Sequence, residues 1–264
     1  LFVCQLADAQ NSIDKVNKYR AQHETAILKE YFNLLSIPNY ALDKVNIDKN
    51  ALFIEAMLKK RGIQTKLLES NTKGSPKAVY GEVIVPGATQ TIIFYAHYDG
   101  QAVNPEKWHP SVKPYKPVLL DQSIEKSGKI IAFPTSGQPF NPEWRISCRS
   151  SSDDKAGVMT IINAYDALVK TGVKLNNNIK FFFEGEEEIG SLHLAEILEK
   201  HKDLLKADLW LIGDGPVHQS GLPMIDFGVR GDVNVDITVY GPKRPLHSGH
   251  YGNWAPNPCL IMSK

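Results

Sequence analysis

The sequence has no excess of either charge: 30 Lys and Arg stand against 29 Asp and Glu, a formal net charge of +1. A chain so balanced lacks the basic surface that holds nucleic acid or an anionic membrane, so neither partner is expected. No apolar run approaches the ~20 residues that span a bilayer. Cysteine is scarce. Cys4, Cys148 and Cys259 lie far apart and form neither a zinc-knuckle spacing nor an evident disulfide framework. Internal repeats and low-complexity tracts are missing as well, which argues against a repeat array.

What is present is enough apolar material for a large core, 42% of 264 residues, and length alone allows one large domain or two. The stretch Leu1–Gln10 resembles the tail of a secretory signal with an Ala7-Asp8-Ala9 cleavage site, so residues 1–9 read as a leader remnant and a secreted or periplasmic destination, with the cytoplasm as the alternative. At the other end the chain stops at Lys264 just as a new element begins, so it reads as a fragment of a longer protein.

Helical spacing runs from Ser12 to Leu35, and Ile37-Pro38 ends it; a second helix fits Asp48 to Arg61. Strands are expected at 62–68, 79–85 and 91–96. Residues 101–149, rich in Pro, Trp and Lys, show no sustained period and read as a long covering loop with room for a short hairpin. A helix from Asp154 to Thr171, a strand Ile179–Phe183, a helix Leu192–Leu205 and a strand Leu209–Ile212 follow. Strands alternating with helices in this way predict an α/β sheet with helices on both faces. After Arg230-Gly231 the pattern changes to alternation, with Val233, Val235, Ile237 and Val239 against polar neighbours. This predicts a half-buried strand opening a second, α+β domain at 231–264, after a first domain of residues 10–230.

The chain is organised around Phe181-Phe182-Phe183-Glu184-Gly185-Glu186-Glu187-Glu188, where an apolar strand runs straight into four carboxylates. Alone, this run fits a solvated acidic turn as well as a metal site, because clustered like charges need a compensator. Three other strand or loop ends carry residues able to bind metal. The run 92–96 ends in His97-Tyr98-Asp99, the serines 150–152 lead to Asp153-Asp154, and Asp214 follows the run 209–213. His97 and Asp99, two apart, point to one side and can touch. Open α/β sheets place their ligands at such strand ends, so four coincident clusters predict a metal centre.

Taken together, the blocks Tyr95-Ala-His-Tyr-Asp-Gly-Gln101, Ser152-Asp-Asp-Lys155, Glu184–Ser191, Gly228-Val-Arg-Gly231 and Leu246-His-Ser-Gly-His-Tyr-Gly252 resemble a family of di-zinc metallopeptidases. That family includes carnosine dipeptidase, cytosolic non-specific dipeptidase, carboxypeptidase G, succinyl-diaminopimelate desuccinylase and aminoacylase, and the likeness is strongest to the non-specific dipeptidase branch. It covers roughly residues 80–252. It implies a zinc-exopeptidase-like sheet followed by the start of an inserted lid and dimerisation domain. It further implies two divalent ions, zinc with manganese or cobalt as alternatives. By the same resemblance His97 and Asp214 hold one ion, Asp153 bridges both and is joined to Asp154 by a cis peptide bond, and Glu188 holds the second. Asp99 aims His97, Glu187 is the general base, and His247 helps hold the oxyanion from the lid, often across a homodimer. Glu184 and Glu186 match the frame of the motif.

The resemblance also breaks in places. The family completes its second metal with a histidine far downstream, and none of His23, His109, His193, His201, His218, His247 or His250 sits in a matching context. Cys148 and Ser150 flank Arg149 where glycines are usual, and Ala156 follows Lys155 in place of another. The expected function is hydrolysis of a dipeptide or small-peptide amide bond. Deacylation of an N-acyl amino acid on the same centre is the first alternative, and a non-catalytic binding member of the family is the second.

Overall fold

The computed structural model describes residues 2–135, 137–222 and 224–264, with side chains from Asn11 onward. Of the expected leader remnant, Leu1 lies outside the described residues, and the backbone of 2–9 begins helix α1 (Phe2–Leu35). Helix α2 (Lys44–Lys60) starts four residues before the expected Asp48, because Asp43 caps it by accepting the Asn46 N–H. Strands β1 (Gln64–Leu68), β2 (Ala78–Val83) and β3 (Thr91–His97) follow.

The covering segment is more regular than expected. Within it, β4 (Val118–Leu120), β5 (Ile130–Ile131) and β6 (Arg145–Ser147) form a small antiparallel sheet in the order β5-β4-β6. Beyond it come α3 (Lys155–Lys170), β7 (Asn178–Glu184), α4 (Leu194–Lys200) and β8 (Leu209–Ile212). Helix α4 is shorter at both ends than expected. Gly190 and Ser191 take left-handed backbone angles ahead of it, and His201 ends it.

The main sheet has the order β1-β2-β7-β3-β8. Strands β7, β3 and β8 run parallel, while β2 pairs antiparallel with both β7 and β1. The aromatic run of β7 explains why this strand is central. Phe181 and Phe183 point into a core with Leu34, Leu35, Ile54, Leu58, Val158 and Ile162 of α1, α2 and α3. Phe182 points the other way, to Tyr80, Ile93, Tyr95 and Ile197 on the α4 side. A strand buried on both faces needs a continuous apolar run, and each buried phenylalanine contributes roughly 2–3 kcal/mol. Helices thus lie on both faces, as expected. At the margin of the larger core, Arg61 at the end of α2 ties the helices together. Its guanidinium meets Glu30 of α1 at 2.7 Å and Asn163 of α3 at 3.2 Å.

The chain divides into two compact units, Leu1–Pro216 and Val217–Lys264. The second contains helices α5 (Ser248–Tyr251) and α6 (Pro258–Met262). The expected strand at 233–239 is not formed. A strand is defined by its pairing, no described segment pairs with this one, and Val233, Val235 and Ile237 are exposed. Among the described residues no helix is long and apolar enough to cross a membrane.

Candidate metal centre

Parallel pairing of β3, β7 and β8 brings three chemistry-bearing segments to one edge of the sheet. His97 at the end of β3 sits in register with Glu184 at the end of β7, and Tyr95 with Ile212 of β8. Gly213 continues the pairing by donating its N–H to the Tyr95 carbonyl at 2.8 Å, which delivers Asp214 to the same edge. The turn before α3 supplies the fourth segment. Asp154 caps that helix, with Oδ1 accepting the Gly157 N–H, while its Oδ2 accepts the His97 N–H at 3.1 Å. One carboxylate therefore pins the helix start to the strand end, and Asp153 stands beside it across a cis peptide bond.

His97 is fully buried and its ring is ringed by acid. From Nε2, Asp153 Oδ1 is 2.9 Å away, and Glu187 Oε2 and Asp214 Oδ2 are each 3.7 Å away. On the other side Asp99 Oδ1 stands 3.3 Å from Nδ1, an ion pair when the ring is protonated. Burial favours the neutral ring, but the carboxylates of Asp99, Asp154 and Asp214 outweigh it and push its pKa up to about 10. The acids pay in the opposite sense. Burial, opposed by His97 and aided by Asp214, raises Asp154 to about 7. Burial also raises Glu187 and Asp214, and neighbouring carboxylates add to both shifts. A site that strains its carboxylates in this way draws positive charge.

The donors present fit divalent metal ions. Ligand atoms of His97, Asp153 and Glu188 all lie within 4.8 Å of one another, and so do those of His97, Asp154 and Asp214. One imidazole with several carboxylates is a donor set for zinc, manganese or cobalt. Among the described residues His97 is the one imidazole in these groups. Asp154 joins Asp214 in the second group, although its oxygens already accept the His97 and Gly157 N–H groups.

Sequence reasoning missed how the acidic turn is held. Asp99, fully buried, accepts the backbone N–H groups of both Glu187 and Glu188, each at 3.0 Å. Gln101 donates from Nε2 to Glu188 Oε2 at 2.6 Å. The other two acids are buried struts: Glu184 accepts the Tyr95 hydroxyl at 2.6 Å, and Glu186 accepts from both His193 N and His193 Nδ1. Gly185 between them has no room for a side chain, because a Cβ there would fall 2.3 Å from the Tyr98 hydroxyl oxygen. Lys155 was also missed. It is buried, and its ammonium donates at 2.9 Å to the carbonyls of Leu34 and Ile37, where α1 ends. The signal for it was in the sequence, since a helix C-terminus leaves carbonyls that seek a cation. Ser150, standing where a glycine is usual, takes a left-handed φ of 59°, and its hydroxyl accepts from Asn39 Nδ2 at 2.9 Å. The serine therefore adopts the backbone that a glycine would supply. His247 belongs to the second unit, where its Nδ1 accepts the Gly249 N–H at 3.0 Å.

Comparison with known proteins finds relatives among metallopeptidases. Over 234 residues the chain is 28% identical to a Cys-Gly metallodipeptidase, DUG1, of Candida albicans, covering 88% of this chain and 43% of the relative. Over 106 residues, 39% of this chain and 21% of the relative, it is 36% identical to the human Beta-Ala-His dipeptidase. An M20 family metallo-carboxypeptidase of Sulfolobus solfataricus, Sso-CP2, superposes with a TM-score of 0.62 at 26% identity, covering 90% of this chain and 48% of the other. The chain spans about half the length of the curated relatives it matches over most of its own length. Residues 93–250, more than half of the chain, match the description Peptidase family M20/M25/M40, and it is to this family that the chain belongs.

Proposed function

We propose that the chain carries the metal-binding part of a hydrolase that cleaves the amide bond of dipeptides or other small peptides. The observation that carries the reading is the convergence of Asp153, Glu187 and Asp214 on His97 Nε2, within 2.9 to 3.7 Å. His97, Asp153 and Asp214 would hold one divalent ion, and Asp153 with Glu188 a second, zinc being preferred for this donor set. Bound there, the ions supply Lewis acidity, which polarises the scissile carbonyl and lowers the pKa of the attacking water.

The chain's own residues do the rest. Asp99 aims His97 and fixes the backbone of the acidic turn. The Glu187 carboxylate, half-buried and with a raised pKa, takes a proton from water and delivers it to the leaving amine. The lid reading makes His247 an oxyanion donor, and residues 231–264 the start of a segment through which two copies pair.

The test is hydrolysis of Cys-Gly and β-Ala-His beside a panel of N-acyl amino acids, with Glu187→Gln as the variant. The reading expects dipeptide cleavage that falls by at least about 100-fold in the variant, as loss of a general base implies. Unchanged cleavage by Glu187→Gln refutes the base, and preference for the N-acyl substrates refutes the dipeptidase reading.

A further inference from the structure

His97, Asp99 and Gln101 leave the end of β3 at alternate positions, and each meets the acidic turn through a different group. His97 Nε2 faces the Glu187 carboxylate at 3.7 Å. Asp99 accepts the backbone N–H groups of Glu187 and Glu188, both at 3.0 Å. Gln101 donates its side-chain amide to Glu188 Oε2 at 2.6 Å. Glu188 is thus tied at its backbone and its carboxylate. Glu187 is tied at its backbone alone, and among the described residues its carboxylate enters no hydrogen bond.

We propose that Gln101 is the positioning residue that divides the labour between these two adjacent glutamates. By holding Oε2 of Glu188 it orders that carboxylate for metal ligation and leaves Glu187 free for proton transfer. The inference rests on the reading of Glu188 as a metal ligand and Glu187 as the base. Its physical basis is the type of donor. Two neighbouring glutamates on one turn are chemically equivalent until something distinguishes them, and a hydrogen bond to one does so. A neutral amide orders the carboxylate without adding a cation that would repel the metal, which Lys or Arg would do at the same position. Fixing the carboxylate in advance also removes the ordering cost from the binding step.

The test titrates zinc into metal-free protein by calorimetry, comparing the parent with Gln101→Met, Glu188→Gln and Glu187→Gln. Met has the length of Gln and no donor. Glu188→Gln is expected to lose one of two binding steps, and Glu187→Gln to keep both. Gln101→Met is expected to keep both steps and weaken the one lost in Glu188→Gln by about tenfold, the lower end for partners of metal ligands. Its metal-free melting temperature should match the parent, because Gln101 is exposed; Gln101→Ala serves as a second variant if Met perturbs folding. Parent-like affinity in both Gln101 variants, with a step lost in Glu188→Gln, overturns the positioning role and leaves the metal reading intact. Retention of both steps by Glu188→Gln overturns the ligand reading and this inference with it.

Discussion

Asp99 ties the end of β3 to the acidic turn, so its removal has a calculable cost. Asp99→Ala deletes two charge-assisted hydrogen bonds, to Glu187 N and Glu188 N at 3.0 Å each, and the carboxylate 3.3 Å from His97 Nδ1. Each N–H bond to a buried carboxylate is worth about 1.5–3 kcal/mol, and removing the acceptor leaves two orphan donors in a turn. Taking the low end, because both bonds share one group, the loss is ~3 kcal/mol. In a chain of this size that corresponds to a fall in melting temperature of about 6–12 °C. Asp99→Asn keeps one acceptor oxygen and should lose about half as much. Thermal melting of the metal-free protein measures this directly. Zinc affinity gives a second readout, expected to fall by about 10–100-fold. If Asp99→Ala melts within about 1 °C of the parent and binds zinc as tightly, Asp99 does not hold the turn and the reasoning fails.

Two further outcomes follow from the frame around the site. Lys155→Met leaves the Leu34 and Ile37 carbonyls without their donor but relieves a buried ammonium, so we expect a net loss of about 2 kcal/mol in denaturant unfolding; equal or greater stability refutes the claim that Lys155 caps α1. Gly185→Ala must displace Tyr98, whose hydroxyl oxygen would lie 2.3 Å from the new Cβ. Its expected cost is about 1–3 kcal/mol, and a parent-like melting curve contradicts the close approach.

The sequence made the central strands legible because they are buried on both faces. Phe181, Phe182 and Phe183 cannot alternate with polar residues when two of them face α1, α2 and α3 and the third faces α4. Three of the four clusters were legible for a related reason: parallel strands deliver their final residues to one edge. The elements of 101–149 were not legible, since strands of two or three residues are too short to show a period. The start of α2 was missed because its first turn, Lys44-Val45-Asn46-Ile47, buries only Ile47, and the cap at Asp43 alone marks it. Within the site, the residue types were readable and their division of labour was not. A carboxylate accepting backbone N–H groups, as Asp99 does, or an amide choosing Glu188 over Glu187, as Gln101 does, depends on where two distant turns meet. No periodicity records that.

The claim on which everything else depends is that the acids around His97 hold divalent metal. The most direct measurement is zinc binding to the metal-free chain in competition with a chromogenic chelator, beside His97→Ala. The account predicts two zinc ions per chain in the parent and at least a 100-fold loss of affinity for one of them in the variant, since His97 supplies the imidazole of the ion held with Asp153 and Asp214. A parent that binds no zinc, or a variant that binds it as tightly as the parent, contradicts the account.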